Sequence, residues 1–343
     1  MPLPFLTFLW YISAGMNLRP ALKIPVLLFV FLAAAVLLGA AGLTFISRSL
    51  PDVRYLSDPG VSFQITVHDW EGNNVPFTVG PGNPSWTPLS GIPLHLRNAV
   101  LAGEDFSFYS HNGVDWYEVK ESFYRNLKLG RYVRGASTIT QQLAKNLFLS
   151  REKTLTRKIR ELILARRFEN VLSKDRILEL YLNVVELGEL VYGIGEGSRY
   201  HFGKDTAEIS LRESTFLVAM LPGPRVYNPE KNMDRVMNRS DHLLSVMLKG
   251  RMISEEEYLA ALEEMPFASN DEYPGMLLPD MPIQQEEGVS IEDTMREVGT
   301  IPPGEDTGPV PVPIPDYTEA EVENAGSTAG GAARGSSTGG LSR

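Results

Sequence analysis

Two adjacent carboxylates, Glu104 and Asp105, open a short segment that also contains a histidine and a glycine. Residues 103–113 read Gly-Glu-Asp-Phe-Ser-Phe-Tyr-Ser-His-Asn-Gly, so His111 follows Glu104 by seven positions. Carboxylates near an imidazole are suited to acid/base chemistry. Glu-Asp pairs are also common on protein surfaces, so this segment by itself favours a solvated surface.

A second segment, residues 134–147, reads Arg-Gly-Ala-Ser-Thr-Ile-Thr-Gln-Gln-Leu-Ala-Lys-Asn-Leu and leads into a predicted helix. Thr138, Gln142 and Lys145 occupy positions i, i+4 and i+7 of that helix and therefore share one face. An amide and a lysine near a helix start can hold a phosphate or a sugar. An amphipathic helix with a polar outer face explains the segment equally well.

Two further segments carry regularly spaced charge. Arg157 and Glu161 lie one helical turn apart with Lys158 beside them, and a surface ion pair is the simpler explanation of that spacing. Residues 174–183 read Lys-Asp-Arg-Ile-Leu-Glu-Leu-Tyr-Leu-Asn. Residues 145–176 contain ten Lys/Arg against four Asp/Glu, which indicates an anionic ligand, an anionic membrane surface or a solvated helix face.

The elements that must position these segments are mainly helices. A capping box at Ser210 and Glu213 marks one helix start. Residues 61–69 alternate in polarity and predict a strand that ends in a turn. We therefore predict a mainly α domain over residues 91–267, preceded by a linker and a small β element over residues 47–90.

Both ends of the chain differ from this body. Residues 24–46 carry no charge and span about 35 Å as a helix, enough to cross a bilayer, and their length favours a retained anchor over a cleaved signal peptide. Basic residues flank that span equally, so charge does not orient it. Residues 1–23 form a short N-terminal segment. Residues 268–343 are rich in Pro, Gly and Ser and predict a disordered tail.

Composition narrows the classes of site. The 343 residues include no cysteine, which excludes disulfides and thiolate metal ligands. The net charge of −10 comes from the tail, where 14 Asp/Glu face 3 Lys/Arg, a balance of −11 that leaves residues 1–267 at +1. We expect no nucleic-acid partner.

In this order and spacing the four segments resemble the peptidoglycan glycosyltransferase family, found as the transglycosylase domain of class A penicillin-binding proteins and as monofunctional transglycosylases. The family motif G-A-S-T-I-T-Q-Q-x-x-K-N is intact from Gly135 to Asn146, and R-I-L-E-x-Y-x-N runs from Arg176 to Asn183. The motifs E-D-x-x-F-x-x-H-x-G and R-K-x-x-E appear as Glu104, Asp105, Phe108, His111 and Gly113, and as Arg157, Lys158 and Glu161.

The resemblance implies a mainly α, lysozyme-like domain of two lobes. It implies transfer of a growing glycan from undecaprenyl pyrophosphate to the 4-hydroxyl of the next lipid-linked disaccharide, lipid II, with inversion to a β-1,4 link. Glu104 would be the general base, and Glu161 would act near the leaving pyrophosphate. The other matched residues would bind substrate: Asp105, Phe108, His111, Ser137, Thr138, Gln142, Lys145, Asn146, Arg157 and Lys158.

The resemblance also implies partners and a location. The partners are lipid II, the glycan strand, the membrane and cell-wall synthesis proteins, with the catalytic domain outside the inner membrane. No cofactor is required, although Mg²⁺ or Mn²⁺ would suit the oxygen-rich ligands, and the sequence shows no dedicated metal site. Apolar residues in 123–133 and 147–149 would contact lipid or else belong to the core: Phe123, Tyr124, Leu127, Leu129, Tyr132 and Phe148.

Two other functions compete with this one. A glycan-cleaving, lysozyme-like enzyme would need one catalytic acid and no basic pyrophosphate site, and a non-catalytic scaffold would keep the fold without turnover. Larger family members add a transpeptidase domain with S-x-x-K, S-x-N and K-T-G motifs. Ser150 to Lys153 fits S-x-x-K by accident and K-T-G is absent, so we expect no transpeptidase domain and no penicillin-reactive serine.

Overall fold

The computed structural model describes residues 20–130, 135–150 and 152–266, with side chains from residue 25 onward. The chain divides into two compact units, Met1–Pro279 and Asp280–Arg343, and every described residue lies in the first. The predicted tail over residues 268–343 lies outside the described residues.

Helix α1 (Pro20–Ser49) is, within the part of the chain that is described, the one helix long and apolar enough to cross a membrane. Its segment Pro25–Ser49 has a mean hydropathy of 2.7, and none of that segment is buried against the protein. The span predicted over residues 24–46 lies inside this helix, which continues three residues further.

A β-hairpin follows α1. Strand β1 (Phe63–His68) pairs antiparallel with β2 (Asn74–Val79), with Phe63 opposite Val79. The turn is closed by Asp69, whose Oδ1 accepts from the backbone N–H of Gly72 at 2.7 Å. The alternating sequence over residues 61–69 correctly predicted this strand.

The body of the domain is a set of short helices with a second small hairpin. Side-chain N-caps start most of the helices, including the predicted capping box of Ser210 and Glu213. The mainly helical fold is therefore confirmed. Its elements are α2 (Leu94–Glu104), α3 (Trp116–Leu129), α4 (Ile139–Phe148), α5 (Leu155–Val171), α6 (Lys174–Leu182), β3 (Glu186–Gly188), β4 (Val191–Tyr192), α7 (Ile194–Phe202), α8 (Leu211–Met220), α9 (Pro229–Lys249) and α10 (Glu255–Glu263).

Helix α8 is the centre of the core, because it is buried on nearly every side and packs on α2, α9, α10 and α7. Its two buried charges are both paired. Arg212 donates to Asp241 at 2.5 Å, and Glu213 accepts from Lys204 at 2.6 Å. A buried charge without such a partner would strongly destabilise the fold.

The predicted linker over residues 47–90 packs on this body. Val53 and Leu56 are buried in the same core as the helices. Arg176 on α6 donates to the Leu56 carbonyl at 2.9 Å, and Asn183 binds the backbone of Thr87 through both ends of its amide, each at 2.8 Å. Arg176 on α6 and Asn183, the residue that follows α6, therefore hold this segment against the domain.

Candidate active site

Glu104 is the last residue of α2, next to the non-helical Asp105. The helix approaches its neighbours closely, since a Cβ added at Gly103 would lie 2.9 Å from Val218 Cγ1 and 3.0 Å from Leu243 Cδ2. Helices α8 and α9 thereby fix the position of the Glu104 carboxylate, and glycine is the residue type that allows this approach.

The Glu104 carboxylate is nearly enclosed, with its side chain 10% exposed. Its Oε2 accepts a hydrogen bond from Gln142 Nε2 at 2.8 Å, and Arg239 Nη2 lies 3.8 Å from Oε1. Burial raises the pKa of Glu104, while the Gln142 hydrogen bond and the charges of Arg239 and Lys145 oppose that rise. Such a carboxylate is suited to accept a proton near neutral pH.

Gln142 is oriented by a second contact. The Tyr181 hydroxyl donates to Gln142 Oε1 at 3.2 Å, which leaves the Nε2 amide group directed at Glu104. Tyr181 is fully buried, and that burial raises its pKa well above the usual range, so it remains a neutral donor. Both polar ends of Gln142 thus contact protein, and the side chain supports Glu104.

Asp105 joins the end of α2 to the start of α4. It accepts from His111 Nε2 at 2.9 Å and from the backbone N–H of Ile139, the first residue of α4, also at 2.9 Å. The N–H of Gly113 donates to His111 Nδ1 at 3.2 Å, so Nδ1 is an acceptor and the ring proton lies on Nε2. The Nε2–H group therefore donates the hydrogen bond to Asp105. Asp105 is buried, the His111 side chain is 9% exposed, and together they position the site.

Thr138 and Phe108 are both buried. Thr138 is the N-cap of α4: its hydroxyl accepts from Gln141 N–H and donates to the Gly113 carbonyl at 2.8 Å. Phe108 is fully buried in the core. Neither residue offers exposed surface in this structure, and their predicted contact with substrate stays a prediction.

Glu161 on α5 is a buried carboxylate with two cationic partners. Arg157 Nη1 donates to its Oε2 at 2.6 Å, and Lys158 Nζ makes a short contact with Oε1. Lys158 also reaches the Ser137 hydroxyl at 3.1 Å and Gln141 Oε1 at 3.2 Å. The Glu161 side chain is 4% exposed and that of Lys158 is 38% exposed, so the cluster is built on a buried carboxylate, and the surface ion pair that the spacing favoured is corrected.

Lys145 is close enough to both carboxylates to feel their charges. It stays in contact with solvent, yet the surrounding protein lowers its pKa by desolvation, and Glu161 and Glu104 act in the opposite direction. Asn146, the next residue on α4, is half-buried. Helix α4 therefore connects Glu104 with the ion cluster around Glu161, since Gln142 binds Glu104 and Gln141 binds Lys158.

Sequence reasoning missed Arg239. Its guanidinium lies 5.5 Å from the centroid of the Tyr227 ring and faces Glu104 from α9. A signal was present, because Arg239 is a charged residue within the apolar stripe of α9, between buried Val236 and Leu243. A charge at a core-facing position indicates a buried partner or a ligand.

Six buried side-chain polar atoms of the described residues have no hydrogen-bond partner, and three of them lie at this site. Among the described residues, Glu104 Oε1, Arg157 Nε and Arg239 Nε are buried and have no hydrogen-bond partner. Buried polar groups are normally satisfied, so this arrangement fits a polar ligand that binds between them. The described part of the chain has no group of three His, Asp or Glu side chains able to hold a metal ion, and both Glu161 oxygens bind cationic side chains.

The basic excess over residues 145–176 has more than one use. Lys145, Arg157 and Lys158 lie at the site. Arg176 instead binds the backbone of the linker, and Lys174 pairs with the buried Glu169 at 2.7 Å. The basic excess therefore does not serve a single purpose, because part of it holds the fold together.

Comparison with known proteins agrees with this geometry. The family model described as "Transglycosylase" matches residues 73–248, just over half of the chain. Penicillin-binding protein 1A of Neisseria lactamica is 39% identical over 215 residues, which cover 63% of this chain and 27% of the relative. Penicillin-binding protein 1A of Escherichia coli K12 is 37% identical over 235 residues, which cover 67% of this chain and 28% of the relative.

The chain thus spans less than a third of the length of the curated relatives it matches. A crystal structure of penicillin-binding protein 1A from Haemophilus influenzae is 24% identical, covers 60% of this chain and 21% of that chain, and superposes with a TM-score of 0.33, too low to add to the assignment. The family match over residues 73–248 contains every residue of the site described above, and the chain belongs to the transglycosylase family.

Proposed function

We propose that this chain is a peptidoglycan glycosyltransferase that polymerises lipid II into β-1,4-linked glycan strands in cell-wall synthesis. The observation that carries the proposal is a desolvated carboxylate, Glu104, that faces a group of cations. Arg239 and Lys145 are the cations that act on Glu104, and Lys145 also feels the charge of Glu161, which pairs with Arg157 and Lys158.

In this reaction the 4-hydroxyl of lipid II attacks C1 of the growing strand from the face opposite the pyrophosphate. The O4–C1 bond forms, the bond between C1 and the phosphate oxygen breaks, and its electron pair leaves with undecaprenyl pyrophosphate. Glu104 takes the hydroxyl proton, and its raised pKa keeps it basic enough to do so. Attack from the opposite face inverts the anomeric centre.

The cations would stabilise the leaving group. Pyrophosphate gains negative charge as the bond breaks, and preorganised positive groups lower that barrier. Glu161 is engaged by Arg157 and Lys158 through both oxygens, which supports a role in holding these two cations in place. Ser137, Lys145 and Asn146 keep solvent contact and are the residues we propose to touch substrate.

The competing functions use the same residues differently. A raised pKa would also suit Glu104 as the acid of a glycan-cleaving enzyme, but a hydrolase of neutral glycan has no need for four nearby cations. A scaffold would need neither the desolvated carboxylate nor the ion cluster around Glu161.

The test is polymerisation of labelled lipid II by the purified full chain beside Glu104→Gln. We expect polymer from the unchanged chain and a loss of about 10²–10⁴-fold in the variant, because the general base is absent. Glu263→Gln, at an exposed position on α10, is the matched control and should retain full rate. Polymer from both variants would remove Glu104 from this role, and cleavage of preformed glycan would favour the hydrolase.

We also propose that α1 anchors the protein in the inner membrane with the domain on the periplasmic side, where lipid II is exposed. Helix α3 supports a membrane contact, since four predicted apolar residues on it are exposed: Phe123, Tyr124, Leu127 and Leu129. Phe148 packs against the core, which was the other alternative for these residues, and Tyr132 lies outside the described residues.

The proposal also predicts how the chain responds to penicillin and to a metal chelator. Ser150 is no acylation site, so a fluorescent penicillin should not label this chain covalently, and labelling would contradict the absence of a transpeptidase within these residues. Turnover should continue in excess chelator, because no metal is required, and an activity restored only by Mg²⁺ or Mn²⁺ would overturn that expectation. Any contact with other cell-wall synthesis proteins remains part of the proposal.

A further inference from the structure

We propose that Arg167 is a positioning residue that locks the C-terminal end of α1 to the catalytic domain and so fixes the height and tilt of the site relative to the membrane. This inference rests on the proposed function, because height matters only to an enzyme whose substrate is held in the bilayer.

One guanidinium makes all the contacts of this lock. Arg167 Nη2 donates to the Ser47 carbonyl at 2.5 Å and to the Ser47 hydroxyl at 3.0 Å. Arg167 Nη1 donates to the carbonyls of Pro51 at 2.9 Å and Leu50 at 3.2 Å. These carbonyls lie at and just beyond the end of α1, which is Ser49.

The chemistry of a helix end makes these contacts strong. The last carbonyls of a helix have no partner within it and carry partial negative charge. An arginine that approaches them forms charge-assisted hydrogen bonds and interacts favourably with the helix dipole. The planar guanidinium also fixes direction as well as distance, which a lysine ammonium does not.

The chain segment that follows the Arg167 contacts is short and is held by the core. Only residues 50–52 separate Ser49 from Val53, which is buried in the core together with Leu56. Arg176 then holds the carbonyls of Leu56 at 2.9 Å and Asp58 at 3.1 Å. The anchor is therefore held by the arginine at its end and by buried side chains directly after it.

Arg167 lies on the same helix as Arg157 and Lys158, two of the cations of the site. Arg167 lies on α5, ten residues after Arg157, a distance of about 15 Å along the helix axis. Because α5 is one continuous helix, the orientation of α1 sets where Arg157, Lys158 and Glu161 lie above the bilayer. A pyrophosphate fixed at headgroup depth would meet them only at the correct height.

The first test measures the junction itself. The sequence has no cysteine, so nitroxide labels can be placed at Phe45→Cys on α1 and Glu256→Cys on α10, both exposed positions, in the full chain in lipid nanodiscs. We expect double electron–electron resonance to give a narrow distance distribution, and a clearly broader one after Arg167→Ala. Arg166→Ala, the exposed neighbour on the same helix, is the matched control. An unchanged distribution in Arg167→Ala would overturn the proposal.

The second test compares two substrates. In proteoliposomes with full-length lipid II we expect Arg167→Ala to polymerise at least about tenfold more slowly, since small misplacements of a site have effects of that size. A water-soluble, short-chain analogue of lipid II in detergent-free solution should react at the unchanged rate. Arg167→Lys retains the charge and serves as the second variant if Arg167→Ala does not fold. Its rate with full-length lipid II should lie between those of the unchanged chain and Arg167→Ala.

The outcomes separate the two proposals. Equal losses on both substrates would show damage to the site and would overturn the positioning role. No reaction of the unchanged chain with either substrate would contradict the proposed function, and the label distances would then decide the lock by themselves.

Discussion

Glu104 is surrounded by groups that act on its pKa in opposite directions. Burial is the largest influence and raises the pKa, and the hydrogen bond from Gln142 is the largest influence that lowers it. A general base must be ionised, so the rate falls as the pH drops through this pKa. The acid limb of the pH–rate profile therefore reports on individual contacts of one carboxylate.

We expect Gln142→Ala to move the acid limb of kcat/KM to higher pH. Without its hydrogen bond the ionised carboxylate is less stabilised, so the pKa of Glu104 rises further. The measurement is kcat/KM over about pH 5 to 9. Gln64→Ala, an exposed glutamine on β1, should leave the profile in place, and a shift of the Gln142→Ala profile to lower pH would contradict the assignment.

The same carboxylate should lower the stability of the fold at neutral pH. The folded chain holds the Glu104 proton more tightly than the unfolded chain, whose pKa is the ordinary 4.5, so stability falls as the pH rises from 4.5 through the folded pKa. We expect Glu104→Gln to raise the melting temperature at neutral pH and to change it little below pH 4.5. Thermal unfolding at the two pH values tests this, and a lower melting temperature at neutral pH would count against a desolvated charge.

At the scale of elements, the site depends on how closely α2 approaches α8 and α9. We expect Gly103→Ala to destabilise the protein by about 1–3 kcal/mol, because the new methyl group would press on Val218 and Leu243. It should also lower kcat by moving Glu104. Denaturant unfolding and steady-state kinetics provide the measurements. Gly223→Ala is the control, since no atom lies within 4 Å of its added Cβ.

The junction of α2 and α4 gives a second prediction at this scale. Asp105→Ala would leave the N–H of Ile139 and Nε2 of His111 buried without an acceptor. We expect a loss of about 2 kcal/mol in the free energy of unfolding, measured by denaturant titration. Asp234→Ala, at an exposed position on α9, should stay near the unchanged value. Equal stability of both variants would show that Asp105 does not hold the two helices together.

For the whole molecule, we expect the exposed apolar residues of α3 to make a second membrane contact beside α1. An environment-sensitive dye on Phe123→Cys, a residue 63% exposed, should shift its emission to shorter wavelength when the full chain is reconstituted in vesicles. The same dye on Glu263→Cys, an exposed polar site on α10, should not shift. Equal spectra at the two sites would remove α3 from the membrane.

The sequence by itself determined the mainly helical class, the strand at residues 63–68, the apolar span and the four motif segments. These depend on local periodicity, capping and spacing, which neighbouring residues decide. The same local information did not decide which motif residues face the site and which support the fold. The two-lobed, lysozyme-like arrangement and the domain boundaries stay predictions.

Only the tertiary structure decided which residues face the site and which support it. Glu161 pairs with neighbours on its own helix, but its burial depends on how α5 packs on α4. Arg239 lies 135 positions from Glu104 along the chain and meets it only because α9 packs on α2. The division of the basic residues among Glu161, the linker and the end of α1 has the same cause. A guanidinium binds the carboxylates and carbonyls that folding brings near it. Sequence spacing does not predict contacts between segments that lie far apart along the chain.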